Sequence, residues 1–363
     1  MKVHPRSRPG GLWQSRLVLI AGIMLVPLLW SMQADAYQGF GATTSGGSGK
    51  KRVRVTTLND AGAGSFRQAV SQGNRTIVFD VAGEIELSSP ILVRGAFITI
   101  DGFSAPSPGI TLRHYGLFMR GDLGAHDVIV RGIRVRNSQN DGILIKSGAY
   151  NVVIDHVSID GSADGNLNIT DGAHDITVSW SILGNPAWTH PTNMLIKQNP
   201  SRVTLHHNLF RARERNPQVR IDAAGTPATA TTLDMRNNVI WGWGSGYGTL
   251  IFFGPWANVV QNYYYSAGGD AGDALVACKN AQCRFGQPVN HPNSRSRAYV
   301  EGNVSGDGLD TINNEGAEPQ AFSAPVVDTQ GACAAAAAVL AGAGVRPLDD
   351  IDKQYILATL PGC

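Results

Sequence analysis

Short runs of alternating apolar and polar residues recur along the middle of the chain at nearly constant spacing. Eight of them share one pattern: Ile98-Thr99-Ile100, Val128-Ile129-Val130, Val152-Val153-Ile154, Ile176-Thr177-Val178, Val203-Thr204-Leu205, Leu233-Asp234-Met235, Ala257-Asn258-Val259 and Ala298-Tyr299-Val300. Their starts lie 30, 24, 24, 27, 30, 24 and 41 residues apart. Strands this short, repeating at a long and steady interval, describe coils stacked in a parallel β-solenoid. A sandwich of many short strands is the alternative, but it places a turn signal about every 8–12 residues and keeps no phase over longer intervals. The predicted fold is therefore all-β: a single-stranded right-handed parallel β-helix (solenoid) with a short N-terminal capping helix and a C-terminal tail.

Three residues after most triplets stands an apolar or small residue, as at Ile133 and Val157; Asn208, Asn238, Asn262 and Asn303 take that place in the later coils. Stacked amides at one repeated position suit an internal ladder, each satisfying its neighbour and the turn backbone. A solenoid needs its ends capped. Ser65–Val70 reads as a short amphipathic helix starting at Ser65, closing the N-terminal end. Tyr37–Gly49 reads as a glycine-rich entry strand or loop. At the other end, Ala334–Gly342 and Pro347–Leu360 look helical, fixed by the cysteines.

The first 36 residues stand apart. Lys2, Arg6, Arg8 and Arg16 precede an apolar run from Leu17 to Trp30, and Ala34-Asp35-Ala36 follows. This is the pattern of a secretory signal peptide; the alternative is a retained anchor. The expected organisation is 1–36 leader, 37–305 β-helix and 306–363 C-terminal tail packing on it. The whole chain has a net charge of +2. The leader carries four basic groups and the acid Asp35, so the processed chain is near −1. No global positive field draws it to nucleic acid, and after leader removal nothing holds it to a membrane. An exported chain meets an oxidising compartment, so Cys278, Cys283, Cys333 and Cys363 are expected in one or two disulfides. Three pairings are possible, and Cys278–Cys283 with Cys333–Cys363 is the favoured one. A capped solenoid needs no partner, so a monomer is expected.

Register brings candidate chemistry together. Ile145, Ile169, Ile196 and Ile221 read as equivalent positions one coil apart. The column before them is Leu144, Asn168, Leu195 and Arg220. Four positions before the isoleucines stand Asp141, Gly165, Thr192 and Pro217, with Asp164 one step away. Coils lie about 4.8 Å apart, so Asp141, Asp164 and Asn168 cluster on one outward face. Two carboxylates and an amide so close suit a hard cation such as Ca²⁺, although Asp-Gly is also a common turn pair. Arg215-Asn216-Pro217-Gln218-Val219-Arg220 offers two arginines able to grip a carboxylate, and Arg211 and Arg213 add to the basic stretch. Its alternative is a solvated basic turn. The aromatics from Trp241 to Phe253, with Trp256 and Tyr263–Tyr265, suit either sugar stacking or the core.

The stretches Gly39–Gly47, Leu58–Arg67, Asn151–Ser158, Val178–Ile182, His207–Phe210, the R-x-P-x-x-R of Arg215–Arg220 and Val339–Leu348 resemble the pectate lyase family of parallel β-helix enzymes (polysaccharide lyase family 1). The likeness covers nearly all of the processed chain. It implies calcium-assisted β-elimination on polygalacturonate (pectate). By the motif, Arg215 falls on the proton-abstracting position and Arg220 on the substrate-carboxylate position. Asp141, Asp164 and Asn168 fall on calcium positions, with Asn168 where aspartate is frequent and Ile143 where a second carboxylate is common. Thr192 stands in place of the usual substrate-binding lysine, with Lys197 near enough to substitute. Rival readings are a calcium-independent lyase of esterified pectin, a non-catalytic polysaccharide-binding β-helix, and a hydrolase with paired acids.

Overall fold

A computed structural model describes residues 1, 2, 4, 37–186, 190, 192–221, 228–244, 246–268, 272–278, 296–309 and 317–363. The chain divides into Met1–Asp35 and Ala36–Cys363. The expected leader therefore lies almost wholly outside the described residues.

The second unit is a parallel β-helix. Among the described residues its three parallel sheets hold ten, nine and eight strands. In a typical coil the chain passes from the first sheet (His126–Arg131) to the second (Ile133–Arg136) and then the third (Ile143–Lys146). The eight repeated triplets are in register along the first sheet, from Ile98 beside Val128 through Val152, Ile176, Val203, Leu233 and Ala257 to Ala298. Alternation sends Ile100, Val130, Ile154, Val178, Leu205, Met235 and Val259 inward, all fully buried. Each coil cannot bury this face alone; the coils above and below complete it.

The predicted asparagine ladder is present. Asn208 Nδ2 donates to Asn238 Oδ1 at 3.0 Å, Asn238 Nδ2 to Asn262 Oδ1 at 2.9 Å, and Asn262 Nδ2 to Asn303 Oδ1 at 2.9 Å. Each Oδ1 also accepts the backbone N–H of the preceding asparagine, so amides buried in the core leave no group idle there.

The capping helix is a single turn, Phe66–Ala69. Ser65 Oγ accepts the Gln68 N–H at 3.2 Å, and Phe66 is buried against Phe79 with ring centroids 5.4 Å apart. Of the two expectations for the glycine-rich segment before it, the loop is the one that holds: it forms turns and no strand. It lies across the outer face of the first sheet, where Thr204 and Thr177 accept the N–H groups of Phe40 and Gly41, and Thr99 accepts that of Gly47. Glycine is required by this close approach: a Cβ on Gly47 would stand 2.1 Å from the Arg75 carbonyl oxygen.

The tail runs beside the coils. Helix Ala332–Gly342 covers Ile182, Leu209, Val239 and Tyr263 on the second sheet with Ala336 and Val339. Those outward apolar residues need a cover, which explains the helix's place on the flank. Only Asp350–Lys353 of the expected second helix is helical. Buried Arg136 holds that turn, donating to Asp349 at 2.9 Å and Asp352 at 2.8 Å. Cys333 and Cys363 form a disulfide. The other favoured pair involves Cys283, which lies outside the described residues.

Candidate active site

Asn168 and Arg220 lie on strands of the third sheet, and Asp141, Asp164 and Arg215 lie in turns that lead into its strands. Ile145, Ile169 and Ile196 are aligned as expected, but the next residue in their row is Val219, and Gln218 stands beside Leu195. The expected alignment with Ile221 is thus two residues out. A slip of two keeps every side chain on its face, so alternation alone could not expose it. Arg220 consequently stands beside Lys197, one coil on.

A one-residue bulge precedes this pairing. Thr192 bridges to Glu214, whereas Leu195 pairs with Gln218. Three steps on one strand thus face four on the other, and Pro217 leaves the expected column. The turn holding the extra residue includes Arg215, whose backbone is left-handed at φ 59°. Bulges of this kind re-aim a side chain and are over-represented beside active sites. Arg215 Nε is buried, with no hydrogen-bond partner among the described residues.

A second asparagine ladder underlies these turns, and the sequence reading missed it. Asn166 Nδ2 donates to Asn193 Oδ1 at 3.1 Å, and Asn193 Nδ2 to Asn216 Oδ1 at 3.0 Å. Asn216 Nδ2 then donates to the Ala212 carbonyl at 2.9 Å. The ladder adjoins Arg215, Thr192 and the Asp164–Asn168 turn. The available signal was the recurrence of asparagine at 166, 193 and 216, about one coil apart.

Asp141 is 6% exposed and accepts a hydrogen bond from Asn168 Nδ2. Asn168 Oδ1 accepts the Leu195 N–H at 2.8 Å. Asp164 is exposed, its Oδ1 3.5 Å from His190 Nε2. Burial, and then the charge of Asp164, push the Asp141 carboxyl up to about 7; Asn168, Lys146 and Lys197 act the other way. Ile143 points into the core, so no carboxylate faces outward there. Thr192 is buried and donates its hydroxyl to the Asp164 carbonyl at 2.7 Å.

The donor chemistry suits a hard divalent cation. Burial and the neighbouring Asp164 disfavour the charge of Asp141, an imbalance that a bound cation relieves. The set is sparse: among the described residues, no three His, Cys, Asp or Glu side chains gather as a metal site. Asn168 offers its oxygen only by turning the amide away from the Leu195 N–H.

The remaining basic and aromatic residues are mostly structural. Arg211 packs over Trp241 with its guanidinium carbon 4.9 Å from the ring and donates to Asn185, away from Arg215. Trp243 and Tyr264 are buried in the core. Trp256 stacks on Phe322. Phe252, 5.8 Å under Arg220, and Tyr247, whose hydroxyl donates to Gln218 at 3.1 Å, are aromatics beside the site.

Comparison with known proteins points in one direction. The chain is 36% identical over 260 residues to a probable pectate lyase C of Aspergillus terreus (strain NIH 2624 / FGSC A1156), covering 68% of this chain and 58% of that one. It spans a little over half the length of the curated relatives it matches. The fold is shared with a pectate lyase from Bacillus sp. N165 solved in complex with trigalacturonate: TM-score 0.62, 20% identity, 85% of this chain and 98% of that one. It is shared also with Jun a 1, the major allergen from cedar pollen: TM-score 0.59, 19% identity, 86% and 93%. No family model matches the chain.

Proposed function

The chain is a homologue of the pectate lyase family, and from that premise we propose that it is a secreted lyase cleaving polygalacturonate by calcium-assisted β-elimination. The products are 4,5-unsaturated galacturonides. One observation carries the reading: the bulged turn that holds Arg215 starts at Glu214, which bridges to Thr192, and the Thr192 hydroxyl bonds the Asp164 carbonyl, so Arg215 and the Asp141–Asp164 pair lie at the entry to neighbouring coils of the third sheet.

Arg215 takes the C5 proton of a bound uronate. The released electron pair becomes the C4–C5 double bond. The bond from C4 to the glycosidic oxygen breaks, and that oxygen leaves with the electrons and gains a proton. A free guanidinium gives up its proton only above about pH 12, so alkaline conditions favour the step. Arg220 grips a substrate carboxylate. Asp141 and Asp164 would hold calcium, with Asn168 beside them, and the ion when bound would acidify the C5 proton by drawing charge from the uronate carboxylate.

Secretion is supported by the leader pattern and by the Cys333–Cys363 disulfide, which suits an oxidising compartment. Among the described residues no helix is long and apolar enough to cross a membrane. The capped coil fits a monomer. A second reading, a calcium-independent lyase of esterified pectin, is favoured by the donor that Asn168 turns toward Asp141. Mixing the processed protein with polygalacturonate and calcium should raise the ultraviolet absorbance of an unsaturated product. New reducing ends without absorbance would mean hydrolysis instead.

A further inference from the structure

We propose that the N-terminal end of the solenoid is a second, non-catalytic contact for polygalacturonate, where exposed Lys51, Arg52 and Arg94 hold uronate carboxylates away from the bond being cleaved; this rests on the lyase reading above.

Charge is segregated along the chain. Residues 37–100 carry seven Lys or Arg and four Asp or Glu, a net of +3, whereas the processed chain as a whole is near −1. The four acids are already engaged. Asp60 pairs with Arg67 at 2.6 Å, Asp80 with Arg54, and Glu84 and Glu86 with Arg113 at 3.1 and 3.5 Å. Lys51, Arg52 and Arg94 are exposed and have no side-chain hydrogen bond or ion pair among the described residues. Arg75 stands behind them, bonded to the Ala69 carbonyl at 2.9 Å and to Gln72 Oε1 at 2.7 Å rather than to a carboxylate.

The fold gathers these cations at one corner. Lys51 and Arg52 lie on Lys51–Val55, the strand that ends the first sheet, and Lys51 is paired with Arg75. Arg75 reaches Ala69, and the Arg94 N–H donates to the neighbouring Val70 carbonyl at 3.3 Å. Arg94 follows Ile91–Val93, the strand that ends the third sheet on that side. The turn of Arg215 leads into Gln218–Arg220, five strand spacings away, or about 24 Å. A polymer running from the site along the third sheet arrives at Arg94, whereas a trimer seated at Arg215 ends short of it.

Two other roles account for less. Charges on an end strand keep a second copy from pairing with it, which covers Lys51 and Arg52 but not Arg75 and Arg94, off that strand. A second copy would also set like charge against like. A polyanion matches instead: closely spaced cations raise the local potential, and carboxylates repeated along one chain engage them together.

The test measures binding of polygalacturonate and of trigalacturonate at several salt concentrations, with thermal melts to confirm folding. It compares the protein with the combined variant Lys51→Gln, Arg52→Gln, Arg94→Gln, both in an Arg215→Ala background that keeps the polymer whole. The combined variant should bind polymer about ten-fold more weakly, with trimer affinity unchanged and with less sensitivity to salt. Highly methyl-esterified pectin, which lacks the charge, should bind both proteins alike. Equal polymer binding by the folded variant, equal weakening for the trimer or for esterified pectin, or binding of anionic phospholipid vesicles through these residues while polygalacturonate is not bound, overturns the proposal. Polymer binding that depends on these residues, with no unsaturated product from the protein with Arg215 intact, overturns the lyase reading and leaves the patch standing.

Discussion

Asn168 reaches across one coil to Asp141 and presents its nitrogen, not its oxygen, to the carboxylate. The oxygen is occupied by the Leu195 N–H at 2.8 Å. Gly165 makes room for this amide, since a Cβ there would stand 2.7 Å from Asn168 Nδ2. The pair satisfies itself by hydrogen bonding where a third carboxylate would demand a cation.

Replacing Asn168 with aspartate should therefore tighten calcium binding. A third carboxylate raises the charge of the ligand set, which is the main lever on affinity in such sites. Calorimetric titration without sugar should show at least about a tenfold gain. Tight calcium binding by the unaltered protein, unchanged in Asn168→Asp, would contradict the account of this pair.

The inner ladder should matter to the site more than to the fold. Asn193 donates to Asn216, the neighbour of Arg215, and to the Leu183 carbonyl at 3.0 Å. Asn193→Leu should cost about 1–3 kcal/mol of stability through unpaired neighbours. Activity should fall further than the loss of folded protein explains, because Arg215 loses its anchored turn. Denaturant melts beside specific activity decide this; activity that tracks folded fraction alone would remove the positioning role.

Much of the fold was legible because a solenoid writes one pattern many times. Eight triplets and four asparagines carry the same phase, so single mismatches such as Ala298 do not hide it. The site was legible in membership but not in alignment. Ile221 looked like the partner of Ile196 by identity, whereas Val219 stands in that row. Period-two patterning cannot tell these two alignments apart, because they differ by two residues. The tail's path was hidden for another reason. It depends on outward apolar residues, Leu209 and Tyr263 among them, whose cover is distant in sequence.

The part of the stability that rests on His206 and His207 should fall as the solution is acidified, whereas protonating Asp141, whose carboxyl burial raises to about 7, acts the other way. His206 and His207 are both buried, which lowers them to about 3 and about 4, His206 further through the charge of His207. The unfolded chain takes up these protons near pH 6.5, the folded one only near 3–4. The histidines' contribution is therefore whole above about pH 6.5 and is lost as pH drops toward 4, on the order of 2–5 kcal/mol. Urea melts from pH 7 to 4.5 should show this, with a shallower slope in His206→Gln. An identical slope in that variant would show that these histidines are not the cause.

Arg136 should pin the tail to the coils. It is 1% exposed and holds Asp349 and Asp352, of which Asp352 is fully buried. Arg136→Met removes the guanidinium that bonds both carboxylates and leaves them only Arg134, 3.3 Å from Asp349 and 3.9 Å from Asp352, costing up to about 3–5 kcal/mol. Limited proteolysis should then cut within 343–363 faster than in the unaltered protein. Unchanged cleavage there would mean that apolar packing and the disulfide hold the tail unaided.

The central claim is that the site bearing Asp141 and Arg215 performs a β-elimination. The direct measurement is ultraviolet absorbance of unsaturated product from polygalacturonate, comparing the unaltered protein with Arg215→Ala, each with calcium and with chelator. The account predicts a steady rise for the unaltered protein with calcium, abolished by Arg215→Ala and by chelator. A rise that persists in Arg215→Ala, or no rise under any condition, would contradict it.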